Sequence, residues 1–154
     1  MSDDLSALEP WLAGYLARLD PRERIKVSRA IAKMLQKRNA ERIRQNIQPD
    51  GTPMEPRKPK KSKSGRIRAR KGKMFKKTAL ARNMRTRVGP DDVELFFRPL
   101  VAGTAAVHHS GLTDKVDHRI RNSIKVRYPA RRLFGFSPQD RDDIMATVLD
   151  SLDK

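Results

Sequence analysis

The chain contains no cysteine, little aromatic content and no long apolar run. The missing cysteine excludes disulfides, thiolate metal sites and a cysteine nucleophile. No apolar stretch approaches the roughly 18 residues needed to cross a bilayer, so we expect no membrane association. The start, M-S-D-D-L, is acidic and lacks the positive region of a signal peptide. We therefore expect a soluble protein made inside the cell.

Positive charge is concentrated in one part of the chain. The formal net charge of the 154 residues is +17. Residues 56–90 hold fifteen Lys or Arg and no acidic residue, while the remainder holds twenty basic and eighteen acidic residues. The length suits one domain with a modest core. The charge thus belongs to one segment of an otherwise nearly neutral domain.

The residues that usually carry catalysis are few and badly spaced. His108 and His109 are adjacent, so on a helix they point about 100° apart, and His118 has no ligand-spaced partner. Phosphate loops and a nucleophile elbow are missing. The acidic clusters at 91–92 and 140–143 fit turns and helix starts. We predict a protein that is not an enzyme and has no catalytic residue, metal or cofactor.

The N-terminal part reads as two helices. Asp20-Pro21-Arg22-Glu23 is a helix start, with Asp as N-cap and Pro at N1, and a long basic helix should run to about Ile47, before turn residues 49–53. Apolar side chains recur at helical spacing in both helices. They are Leu5, Leu8, Trp11, Leu12, Tyr15, Leu16 and Leu19 in the first, and Ile25, Ile31, Met34, Leu35 and Ile43 in the second.

The C-terminal part mixes strands and helices. Residues 85–88 and 93–98 predict a hairpin, 101–109 a short helix closed by Ser110-Gly111, and 123–128 a third strand. Residues 74–84 show mild helical spacing. The final helix begins at Ser137 as N-cap, and one of its faces carries Ile144, Val148, Leu149 and Leu152. The fold class is α+β: two N-terminal helices, a small antiparallel sheet, and a C-terminal helix packed on that sheet.

Residues 56–73 are too polar to offset their ordering entropy, so we predict a mobile basic arm. It has two interpretations: contact with nucleic acid through phosphate neutralisation, or a solvated loop that contacts an acidic protein surface or nothing. Phe75 is the single aromatic residue within 56–90, which argues against base stacking. The candidate contact residues are Lys58, Lys60, Lys61, Lys63, Arg66, Arg68, Arg70, Lys71 and Lys73.

Residues 128–144 form a strand-to-helix joint. The alternation of Ile124, Val126 and Tyr128 stops at Pro129, which cannot donate to a strand ladder. Phe134 and Phe136 then flank Gly135 before the final helix begins. This arrangement holds apolar rings and two arginines at a fixed place, which suits an assembly surface better than an active site.

Three segments in order resemble the phage virion morphogenesis family, the tail completion proteins of contractile-tailed and Mu-like phages. Residues 45–56 are similar to an I-x-P-D-G turn after a long helix. Residues 105–111 are similar to A-x-I-H-Q-x-G, with His109 where Gln is usual. Residues 128–144 are similar to Y-P-A-R-P-F-L-G-L-S/T-x-x-D, with Arg132 where Pro is common and Leu133-Phe134 for Phe-Leu.

The resemblance implies a single tail-completion domain over 1–154, with a helical part (1–48), the arm (56–73) and an α+β core (74–154). It implies a structural virion protein that finishes the tail and joins it to the head. Related subunits form rings, commonly hexameric, around the DNA channel. The implied partners are further copies, tail-tube or tail-terminator proteins and head-neck proteins, with non-specific DNA contact in the channel. The implied location is the virion tail or neck, and the host cytoplasm during assembly.

Two hypotheses stay open. In the first, the joint residues Arg131, Arg132, Phe134 and Phe136 contact an adjacent subunit, or the apolar rings stay in the core of their own subunit. In the alternative, the chain is a basic nucleic-acid-binding protein that acts through residues 57–87. The sequence also leaves open whether the chain comes from an active phage or a prophage.

Overall fold

The long basic segment after Asp20 forms helix α1 (Pro21–Gln45) in the computed structural model, which describes residues 14, 17–61, 63–68 and 73–153. The Asp20 side chain accepts from the backbone N–H groups of Arg22 and Glu23, and Asn46 closes the helix in a left-handed conformation, φ 57°. The predicted start and end are confirmed. The helix predicted across Leu5 to Leu19 lies almost wholly outside the described residues.

The buried face of α1 serves two apolar clusters. Ala40 and Ile43 enter the main core, together with buried residues from several segments between 54 and 133: Met54, Met74, Ala79, Met84, Ala105 and Leu133. Val27 belongs to a smaller cluster with Leu19 and Val148. The sequence pattern identified Leu35 and Ile43 as buried. It missed the small residues that let the other elements approach α1 closely.

The predicted hairpin is present. Strands β3 (Met84–Val88) and β4 (Val93–Phe97) pair antiparallel, from Met84 opposite Phe97 to Val88 opposite Val93. They lie against α1, where the Gln36 amide donates to the Met84 carbonyl at 2.6 Å. The predicted short helix is also present as α2 (Pro99–Ser110), which Gly111 closes at φ 66°.

The other strands form separate pairs. In the arm, β1 (Lys60–Lys61) pairs with β2 (Ile67–Arg68), so part of this segment is an extended pair. Strands β5 (Thr113–Lys115) and β6 (Lys125–Arg127) form a third pair. The α+β class is confirmed, but the described strands make three two-stranded sheets, none extended by a third strand. Strand β5 was missed because T-D-K has no apolar alternation.

The final helix, α3 (Pro138–Leu152), begins at Ser137 with a capping box completed by Asp140, as its sequence predicts. We expected α3 to pack on the sheet, but it packs chiefly on α1. Val148 of α3 lies in the same apolar cluster as Val27 of α1, and Asp140 pairs with arginines of α1. Residues 74–84 contain turns and a 3₁₀ helix (Ala81–Asn83) in place of a longer helix. Met74, Ala79 and Met84 of this segment each contribute a side chain to the main core.

Candidate assembly site

The three segments that carry the family resemblance meet at one place, which we call the motif junction (residues 45–56, 105–111 and 128–140). Backbone N–H groups of the joint reach both other segments. The N–H of Arg132 donates to Gln48 Oε1 at 3.0 Å, and the N–H of Leu133 donates to His109 Nδ1 at 3.2 Å. The N–H of Arg131 donates to the His108 carbonyl at 2.7 Å. Residues far apart in sequence therefore hold one irregular segment in place.

Arg131 lies inside the junction, with 3% of its surface exposed. Its Nε donates to the Glu55 carbonyl at 2.6 Å, and Nη2 donates to the Pro56 carbonyl at 3.1 Å. Its Nη1 lies 3.0 Å from His108 Nδ1. Because a guanidinium only donates, this nitrogen of His108 must be the acceptor. The Arg131 side chain thus ties the end of the 45–56 turn to helix α2.

The neutral form of both junction histidines is favoured, because Nδ1 of each ring faces an N–H donor and the pKa of each is lowered. Burial lowers the pKa of His108, and the charge of Arg131 lowers it further. Burial and Arg132 do the same to the pKa of His109. The His108 ring also makes edge contacts with the rings of Phe75 and Tyr128, at 4.9 and 4.7 Å between centroids. These histidines act as hydrogen-bond acceptors and packing groups within the fold.

The four candidate interface residues have different environments. Arg131 is buried, and Phe134 stacks on Phe97 with ring centroids 4.0 Å apart and planes 7° from parallel. That stack packs against the main core. Arg132, Phe134 and Phe136 are each half-buried. The structure therefore buries Arg131 and leaves the other three candidate residues partly exposed.

A buried ion-pair network that the sequence did not reveal locks the joint to α1. Asp140 is fully buried, and its carboxylate accepts from Arg42 at 2.7 Å, from Arg38 at 3.1 Å and from the Ser137 N–H at 2.9 Å. Arg42 also donates to the Gly135 carbonyl at 2.8 Å. Burial works to raise the pKa of Asp140, but these hydrogen bonds together hold it below its ordinary value.

Those candidate arm cations whose side chains the structure describes are solvent-exposed. Lys58, Lys63, Arg66 and Lys73 are exposed. Arg70 and Lys71 lie outside the described residues, and the structure describes Lys60, Lys61 and Arg68 by backbone alone. An open cavity of about 700 Å³ at the base of the arm has Arg57, Lys73, Lys76 and Lys77 among its lining residues. The chemistry of this region suits contact with an anion.

Two features are absent from the described residues: a cluster of metal ligands and a membrane-spanning helix. They contain no group of three or more His, Asp or Glu side chains placed to hold a metal ion. They also contain no helix that is both long and apolar enough to cross a membrane.

Comparison with known proteins decides the family. The model of the phage virion morphogenesis family matches residues 3–153. The chain belongs to this family. Tail completion protein S of Escherichia phage P2, a curated relative, is 30% identical over 155 residues, which cover 99% of each protein. No solved structure matches the chain significantly. The family membership supports a role in phage tail and virion morphogenesis.

The junction accommodates two departures of this family member from the pattern. At position 109 the fold needs an acceptor for the Leu133 N–H, and His109 Nδ1 supplies it where a Gln side-chain oxygen could. At position 132, Arg132 retains a backbone N–H that proline lacks, and this N–H donates to Gln48. The matching motifs therefore correspond to a structural junction.

Proposed function

We propose that this protein completes the phage tail and joins it to the filled head as a ring-forming subunit of the tail end or neck. The observation that carries the proposal is the family match over nearly the whole chain, together with the P2 tail completion protein. The junction adds support, because its histidines and Asp140 are engaged within the fold. In this proposal the protein acts by oligomeric packing and not by catalysis.

The proposed partners are further copies of the chain, tail-tube or tail-terminator proteins and head-neck proteins. The protein would assemble in the host cytoplasm and remain in the virion, of an active phage or an inducible prophage. Within the joint, we assign the subunit contact to Arg132 and Phe136, which reach the surface. Buried Arg131, and Phe134, which is partly exposed but stacks on Phe97, support that surface through the contacts described above.

The decisive experiment removes the gene from the phage or prophage that encodes it. Electron microscopy should then show filled heads and tails that fail to join, and expression of the chain in trans should restore joined particles. Normal particles without the gene would refute the proposal. The mass of the purified protein in solution, alone and with the tail-tube protein, tests the ring separately.

The basic arm favours a second candidate, a nucleic-acid-binding protein that acts through residues 57–87. Exposed cations beside the cavity at the base of the arm could neutralise phosphates. DNA binding at physiological salt, with an affinity that falls steeply as salt rises, would favour this candidate. Deletion of residues 58–73 separates the two: tails that mature and join heads without the arm would make DNA contact dispensable.

A further inference from the structure

The cavity at the base of the arm has exposed apolar surface and positive charge among the same lining residues. Leu100, in the first turn of α2, lines this cavity of about 700 Å³ and is 81% exposed. A second cavity of about 470 Å³ adjoins it, and Arg57, His108 and Arg131 line both. We call the two cavities together the basic groove. None of the described residues that line it is acidic.

Such a groove fits a ligand that has both acidic and large apolar groups. Lys73, Lys76 and Lys77 line the same cavity as Leu100 and are exposed, so they can pair with carboxylates or phosphates. A DNA duplex would satisfy the lysines with phosphates, but it would leave Leu100 without an apolar partner. An acidic protein segment with a large apolar side chain would satisfy both, because such a side chain in a concave site is a common interface anchor.

Residues 1–16 of this chain have the composition that the groove requires. They include three acidic residues, no Lys or Arg, and Trp11, the single tryptophan of the chain. Two other acid-rich stretches already belong to the described fold. Residues 91–94 lie in the hairpin of β3 and β4, and residues 140–153 lie in and directly after α3, which packs on α1. Charge and apolar content therefore favour residues 1–16 as the occupant of the groove.

The groove of the same subunit lies far from the point where residues 1–16 join the fold. Leu19 directly precedes the N-cap of α1 and is buried beside Val27. The groove begins near the other end of α1, where the Met74 N–H donates to Asn46 Oδ1 at 3.3 Å. Helix α1 has 25 residues and is therefore about 37 Å long. Residues 11–19 span about 12 Å as the predicted helix, and less than about 29 Å even when fully extended. The groove of a neighbouring copy has no such limit on distance.

We propose that residues 1–16 of one copy dock in the basic groove of the next copy, with Trp11 against Leu100 and the acidic side chains near the groove lysines. This inference rests on the ring of the proposed function and names the contact that would link its subunits. The segment and the groove are different surfaces of the subunit, so the contact is heterologous. Its repetition closes a ring where the rotation between neighbours allows closure.

Tryptophan fluorescence tests the docking directly, because Trp11 is the single tryptophan. Its emission should shift to shorter wavelength as the protein concentration rises and subunits associate. Leu100→Glu should weaken self-association more than about tenfold and remove the shift, while an acidic residue in the first turn of α2 keeps the helix stable. Ile124→Glu, at a site that is 72% exposed and outside the groove, is the matched control. Circular dichroism should show that both variants remain folded. Association without a change in Trp11 emission, or equal effects of the two variants, would overturn the proposal.

Cysteine cross-linking separates a neighbouring copy from the same chain, and the chain has no cysteine of its own. Ala13→Cys and Thr104→Cys, the latter at an exposed position that lines the groove, should give a covalent dimer when mixed under oxidation. Neither variant should dimerise efficiently alone. Ser110→Cys, exposed at the other end of α2 and outside the groove, should not replace Thr104→Cys. The chain with both Ala13→Cys and Thr104→Cys should form a ladder of multimers. An internal disulfide without a ladder would assign the segment to its own groove and overturn the proposal.

The outcomes distinguish the contact from the proposed function. If wild-type chains form rings and neither Leu100→Glu nor deletion of residues 1–13 changes them, the docking is wrong and the ring proposal stands. If wild-type chains remain single subunits even with the tail-tube protein, the ring is wrong and the docking with it. If the cysteine mixture gives no dimer, and a DNA duplex binds the wild type but not Lys76→Glu, the groove is a nucleic-acid site and the proposal is overturned.

Discussion

Replacing Asp140 with alanine should destabilise the fold strongly, since this side chain joins two parts of the molecule. The carboxylate caps α3 through the Ser137 N–H and pairs with Arg42 and Arg38 on α1. Asp143 provides a matched control. It lies one turn further along α3, is about one-third exposed, forms an ion pair with Arg38 and accepts from the Gln139 amide.

The expected loss of stability follows from the hydrogen bonds that the partners of Asp140 keep in the variant. Removing one member of a buried ion pair costs roughly 3–5 kcal/mol. Arg42 keeps its bonds to Asn39 and Gly135, and Arg38 keeps Asp143, so we assign about 2 kcal/mol to the lost pairing. The lost helix cap adds about 1 kcal/mol. Asp140→Ala should therefore cost about 3 kcal/mol, and Asp143→Ala less than about 1 kcal/mol.

Urea denaturation followed by circular dichroism measures the free energy of unfolding of both variants. The thermal midpoint of Asp140→Ala should fall by about 6–12 °C. The pKa of Asp140 is lowered in the fold, so its contribution is present above the unfolded carboxyl pKa and is lost as pH falls through the folded value. The variant should lose less stability on acidification than the wild type. A cost below about 1 kcal/mol at neutral pH would refute the network's role.

Three further predictions concern the motif junction. His109→Gln should retain the acceptor for the Leu133 N–H, while His109→Ala should cost about 1–3 kcal/mol. Since the pKa of His109 is lowered, the stability that its neutral ring contributes is lost as pH falls below the ordinary value of 6.5 and through the folded pKa. The free energy of unfolding of the His109→Gln variant, measured by urea titration, should therefore depend less on pH. Gly111→Ala should cost about 2 kcal/mol or more in thermal unfolding, because φ is 66° and a Cβ would lie 2.9 Å from Ala130 N. Arg131→Glu should lower the free energy of unfolding by more than about 3 kcal/mol, whereas Arg132→Glu should keep the fold and impair particle assembly. Equal stability of the two variants, or normal particle assembly with Arg132→Glu, would contradict these roles.

Local signals predicted most of the elements. Asp20-Pro21 and Ser137-Pro138 marked helix starts because a cap and a preset proline φ act within one turn of backbone. The Gly89–Asp92 turn marked the hairpin, and Gly111 marked the end of α2. Strand β5 and the 3₁₀ helix were missed, since short elements depend on their neighbours for stability and leave little periodic pattern.

The site was less predictable than the elements. The sequence placed Arg131 in the joint but could not show that its acceptors lie on Glu55, Pro56 and His108. It assigned Asp140 to a helix first turn, yet the partners of that carboxylate stand about a hundred residues earlier on α1. Such pairings depend on how the elements pack, and no local spacing encodes them.

Residue order alone was enough to establish the α+β class, the helix starts and ends, the concentrated positive charge and the family resemblance, because each depends on short-range chemistry or on composition. The packing of the chain revealed that the three resembling segments form one junction, that Arg131 is buried while Arg132 reaches the surface, and that α3 packs on α1. These features arise from contacts between distant residues, which exist only once the elements have packed.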